Sequence, residues 1–169
     1  LDGAEVSEVK AALAAVKARG LVAGAFGRDD FRLPNLGPYL DGILDRLEDG
    51  RGVALLRGLP VADLDIDDVR RLYWGIGSYL GDGVSQNPEG ELISDITDLG
   101  YDYSERTVRG YTTAAELLPH CDPVSDLVVL LCVHPASHGG YSCVASSTTI
   151  YNHILAEHPE ALDVLYRGF

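Results

Sequence analysis

The sequence predicts an α+β fold, with helices leading and strands following. Three observations predict it. Apolar residues recur at helical spacing over residues 6–16, where Ala11, Ala12, Ala14 and Ala15 are strong helix formers. Much later, Asp126-Leu127-Val128-Val129-Leu130-Leu131-Cys132-Val133 has the length and β-branched content of a buried strand. Between that run and a second short stretch, residues 141–147, stands Gly139-Gly140, a turn by composition.

In chain order, the first helix is expected to stop at Gly20. A second helix is expected over about residues 37–47, ending near Gly50. Val53-Ala54-Leu55-Leu56-Arg57-Gly58 reads as a buried strand. Asp65 is a plausible N-cap for a third helix over about residues 66–79. Residues 81–90 are rich in Gly, Asp, Asn and Pro and mark a loop. Residues 98–106, polar and aromatic, form another loop of the kind that borders active sites. Residues 148–155 and 159–166 read as helical. The domain organisation expected is a single domain over 1–169, with a helical segment at 1–50 and strands from 51 on.

The chain has 169 residues, 46% of them hydrophobic and 23% charged, the composition of a soluble globular protein. No apolar stretch approaches the length of a membrane span. The first residues are acidic and lack the pattern of a secretion signal, so a cytoplasmic location is expected. Net charge is −13, which counts against nucleic acid, whose phosphates need clustered Lys and Arg. Cys121, Cys132 and Cys143 are odd in number and too widely spaced for a zinc site. They are expected to be small buried apolar residues. A homo-oligomer is left open.

The densest chemical signal is Leu118-Pro119-His120-Cys121-Asp122. On an extended strand, His120 and Asp122 project to one side, with Cys121 turned away between them. One imidazole nitrogen beside one carboxylate oxygen suits iron(II). The pair is two-thirds of a 2-His-1-carboxylate triad. Of the other histidines, His134 and His138 have helical spacing, but Pro135 and the glycine pair argue for a loop. His153 and His158, five apart, do not share a helix face. Arg109, just upstream, either steadies a carboxylate or makes a structural ion pair. Arg57 reads as a strand-end charge, and Gln86 and Asn87 as turn residues. Gly140-Tyr141-Ser142-Cys143-Val144 lacks the second glycine of a nucleophile elbow, which disfavours a serine hydrolase.

Several stretches agree in order with one family. They are Gly90-Glu91-Leu92 through Asp98-Leu99-Gly100, Arg109-Gly110-Tyr111-Thr112, His120-x-Asp122, residues 126–132, Gly139-Gly140-x-Ser142, Ser146-Ser147 and Tyr151-Asn152. Over roughly residues 50–169 the chain resembles the taurine dioxygenase-like (TauD/TfdA) family of Fe(II)- and 2-oxoglutarate-dependent oxygenases. The resemblance implies a double-stranded β-helix, or jelly roll, here incomplete. It implies His120 and Asp122 as iron ligands, and Ser142 as a hydroxyl donor to 2-oxoglutarate. Arg109 joins Ser142 as a candidate co-substrate contact. It also implies a third His ligand and an Arg for the far carboxylate of 2-oxoglutarate, both beyond Phe169. The sequence is therefore expected to be the N-terminal part of a family member, inactive by itself.

The function so implied is oxidation, chiefly hydroxylation, of a C–H bond in a small organic substrate. O2 is consumed, and succinate and CO2 are released. The carboxylate at Asp122 favours this over halogenation, which needs that position for a halide. The alternatives are a non-catalytic relative or scaffold and a cupin-like metal-dependent isomerase or hydrolase.

Overall fold

The computed structural model describes residues 1–122 and 125–167. Helix α1 spans Gly3–Ala18. Its start is fixed by a capping box. The Asp2 carboxylate accepts from the N–H groups of Ala4 and Glu5, at 2.8 and 2.9 Å, and the Glu5 carboxylate accepts from Asp2 N–H at 2.8 Å. The chain leaves the helix through Gly20 at φ 67°, a left-handed conformation suited to glycine. Val9, Ala12, Leu13 and Val16 form its buried face.

Helix α2 spans Leu36–Glu48 and buries Leu36, Leu40 and Ile43. The Asn35 side chain makes no cap bond. Glu8 of α1 supplies one instead, accepting from Asn35 N–H at 2.8 Å and Leu36 N–H at 3.1 Å. A carboxylate from one helix thus satisfies the orphan donors of the next. Helix α3 spans Ile66–Gly77, and Asp65 caps it by accepting from Asp68 N–H at 2.8 Å. All three helices lie close to the expected bounds, because their start and stop signals are local.

The α1 and α3 faces pack together around Phe31, Leu36, Leu40 and Leu72, all fully buried. Phe31 sits so close over α3 that a Cβ at Gly75 would stand 2.5 Å from its ring. Polar side chains on and just after α3 then tie down the connection between α1 and α2. Arg71 Nε donates to Leu21 O at 2.8 Å, and Trp74 Nε1 donates to Phe26 O at 2.6 Å. The Tyr79 hydroxyl donates to Phe31 O at 3.0 Å while accepting from Leu33 N–H at 2.8 Å.

Asp68 is the one buried charged residue of this body among the described residues. Lys17 of α1 donates to its Oδ2, and Arg71 donates to its Oδ1 at 2.8 Å. The Lys17 bond, with further help from Arg71, holds the Asp68 carboxyl below its ordinary value, against the opposing effect of burial.

Beyond residue 80 the structure corrects the expected fold class. Among the described residues there are five α-helices and no β-strand, so the double-stranded β-helix core is not formed. The stretches at 53–58, 126–133 and 141–146 carry no helix and no strand pairing. A strand exists by virtue of its neighbour's N–H and C=O groups, and these stretches have the pattern without the neighbour. The nearest approach to a ladder is a pair of bonds, Thr97 N–H to Tyr111 O at 3.1 Å and Leu99 N–H to Thr112 O at 2.9 Å.

Burial still alternates along residues 125–134. Leu127, Val129, Leu131 and Val133 are partly covered, whereas Val128, Leu130 and Cys132 are exposed. Leu127 and Val129 pack against the helical core. The Tyr73 hydroxyl of α3 donates to Val129 O at 2.5 Å, and burial pushes its phenol pKa up.

A 3-10 turn spans Gly110–Thr112. Helix α4, Ser147–Glu157, is capped by Ser146 Oγ, which accepts from Thr149 N–H at 3.3 Å. A second 3-10 turn, Pro159–Ala161, leads into α5, Leu162–Tyr166. The Tyr151 and Tyr166 hydroxyls meet at 2.8 Å. No helix among the described residues is long and apolar enough to cross a membrane.

Candidate functional site

His120 follows a bend at Pro119, in a segment without regular structure. The expected strand context is therefore absent, and the same-side projection of His120 and Asp122 loses its geometric basis. What the structure provides is local. His120 Nδ1 lies 2.7 Å from Leu118 O, and both His120 and Asp122 are exposed. A carbonyl oxygen only accepts, so Nδ1 carries the proton in this contact. In the neutral ring Nε2 is then the lone-pair nitrogen, directed away from the backbone. A backbone carbonyl that fixes the tautomer in this way is the usual outer partner of a metal-binding histidine.

An imidazole nitrogen and a carboxylate oxygen two residues apart are chemically suited to iron(II). The fit extends to two donors: among the described residues, no group of three His, Cys, Asp or Glu side chains gathers at one point.

Ser142 is exposed and lies 22 positions after His120 in the chain, past the left-handed pair Gly139 and Gly140, both at φ 69°. Arg109 is placed differently. It lines a cavity of about 370 Å³ together with Tyr101, Glu105, Thr107, Val108 and Thr112. This cavity is bounded by the polar, aromatic loop of residues 98–106, which the sequence marked as a site border. A second, more polar cavity of about 220 Å³ is lined by residues that include Arg70, Asn87, Glu91, Asp95 and Tyr111. Arg70 is already engaged there, with Asp95 at 2.6 Å and Asp67 at 3.4 Å. Neither cavity is lined by His120, Asp122 or Ser142.

Within the 98–106 loop, Ser104 N–H donates to Asp102 at 2.9 Å and holds that carboxyl below its ordinary range. The three cysteines correct a further expectation: each is free and exposed, not buried.

Compared with known proteins, residues 17–169 match the Taurine catabolism dioxygenase TauD, TfdA family. The chain belongs to this family. It is 34% identical to FR-33289 synthase of Streptomyces rubellomurinus, over 99% of this chain and 50% of that protein. It is 32% identical to a taurine hydroxylase-like protein of Stachybotrys chartarum, over 98% of this chain and 44% of that protein. The chain thus spans about half the length of the curated relatives it matches. The family match takes in the segment with His120 and Asp122, the Arg109 cavity and all of α2 to α5.

The sequence reading missed Tyr73, Asp68 and the Arg71 contact. Tyr73 sits in an ordinary helical pattern, and only its distant acceptor, Val129, marks it out.

Proposed function

We propose that the protein acts as an Fe(II)- and 2-oxoglutarate-dependent dioxygenase that hydroxylates a C–H bond of a small organic substrate. The observation that carries this reading is the family match across residues 17–169, which includes His120-x-Asp122. The relative named as a taurine hydroxylase-like protein supports hydroxylation over other outcomes. When bound, iron with 2-oxoglutarate supplies the oxidising chemistry, in which O2 is consumed and succinate and CO2 are released.

In this reading His120 would hold the metal, its ring oriented by the Nδ1–H that donates to the Leu118 carbonyl. Asp122 adds an anionic oxygen that lowers the charge of the site. Ser142 donates a hydroxyl hydrogen bond to a carboxylate oxygen of 2-oxoglutarate. Arg109 offers a permanent cation at the wall of its cavity, suited to a carboxylate.

The test is succinate release from the purified full-length protein, carrying the third His ligand, supplied with iron(II), 2-oxoglutarate and O2. His120→Ala is expected to abolish release while leaving the helical circular dichroism intact. Undiminished succinate from that variant removes His120 from the ligand set. Ser142→Ala is expected to weaken 2-oxoglutarate binding more than metal binding, whereas equal loss of both removes its specific role.

A further inference from the structure

Residues 127–131 read Leu-Val-Val-Leu-Leu, apolar on both faces of an extended chain. Sidedness in an extended segment is normally set by alternation of apolar and polar residues, and a slip of one residue exchanges the faces. Here the pattern does not choose. Val128 and Leu130 would serve against the helical core about as well as Leu127 and Val129 do. Yet the structure has one register, with Leu127 and Val129 inward.

One polar contact distinguishes the two registers. Among the described residues, the Tyr73 hydroxyl bond to Val129 O is the only hydrogen bond that joins residues 1–115 to residues 116–167. It recognises a single carbonyl, and α3 holds its donor in place. The segment it fixes begins shortly after His120 and Asp122. A slip of one residue moves an extended chain by about 3.3 Å and reverses its faces.

We infer that Tyr73 is a positioning residue that sets the register of residues 126–133 and so holds the His120–Asp122 pair in place. The metal-related part of this inference rests on the function proposed above; the register itself does not.

The experiment compares wild type with Tyr73→Phe, which keeps the ring and removes the hydroxyl. Two readouts are used: residue-resolved thiol labelling of Cys132, and affinity for cobalt(II) alone. Cys132 faces outward in the observed register. Tyr73→Phe leaves the two registers about equally populated, and it is expected to slow Cys132 labelling and to weaken cobalt binding by up to about two-fold. Adding Val128→Lys to Tyr73→Phe makes the outer face polar, and it is expected to restore both, because charge then selects the register.

Unchanged Cys132 labelling in Tyr73→Phe overturns the inference, as does a double variant that stays slow. Loss of the helical signal in Tyr73→Phe also overturns it, because the hydroxyl then supports the helical body itself. The two readings fail separately. Cobalt affinity that His120→Ala leaves unaltered removes the metal reading, and Cys132 labelling still judges the register.

Discussion

The helical body of residues 1–80 and the stretch from residue 113 onward obey different rules. In the first, each helix has a cap, a buried face and polar side chains that satisfy the loops beside it. In the second, Leu118, Leu130, Tyr141 and Val144 are each at least 66% exposed, and among the described residues one side-chain hydrogen bond holds the stretch to the body. The difference teaches where each part gets its order. Helices close their hydrogen bonds within one segment, whereas extended chain depends on partners far away in sequence.

The sharpest way to break this contrast is to truncate one leucine in each region. Leu72→Ala, in the fully buried core, is expected to cost about 2–5 kcal/mol in chemical denaturation. Leu130→Ala is expected to change stability by less than about 0.5 kcal/mol, since its side chain already faces water. Comparable losses at the two sites would erase the distinction.

Gly75→Ala comes next. Alanine favours a helix by about 1 kcal/mol over glycine. The added methyl, however, meets the buried Phe31 ring at 2.5 Å, and overpacking of that kind costs about 1–3 kcal/mol. A net loss of stability on thermal unfolding is expected, and a gain would show that the ring moves aside freely.

A third effect concerns Asp68. Its folded pKa lies below the ordinary 3.8, so its contribution is complete above that value and fades as pH falls through the folded pKa. Wild-type stability is therefore expected to drop below about pH 4. Asp68→Asn is expected to lose about 1–2 kcal/mol at neutral pH, where its charged hydrogen bonds are replaced by weaker ones. Its acid limb is expected to be shallower. An identical limb in the variant would assign the acid sensitivity to other carboxylates.

Legibility from sequence follows the same division. The start of α1 is written in Asp2 and Glu5, its end in Gly20, and the start of α3 in Asp65. All are signals within a few residues of what they control. The buried strands expected at 53–58 and 126–133 have strand-like composition, but the first is largely exposed and the second is covered only at alternate residues. Pairing, however, is a property of two segments, and composition describes one. The jelly-roll expectation failed for that reason, and the cysteines failed with it: Cys132 lies on the outer side of a segment whose outer side is uncovered.

At the candidate site, residue chemistry was legible and geometry was not. His120-x-Asp122 stands out in the sequence, but the Leu118 carbonyl that selects the His120 tautomer depends on how the chain bends at Pro119. The ion cluster at Asp68 joins side chains as far as 51 positions apart, beyond any local pattern.

Trp74 is the single tryptophan of the chain, and its indole is fastened to the Phe26 carbonyl inside the helical body. Intrinsic fluorescence therefore comes with a built-in address. Its emission tracks melting of the first eighty residues and is nearly blind to what happens around Ser142. Any optical titration that aims at the ligand-bearing stretch needs a second reporter placed there.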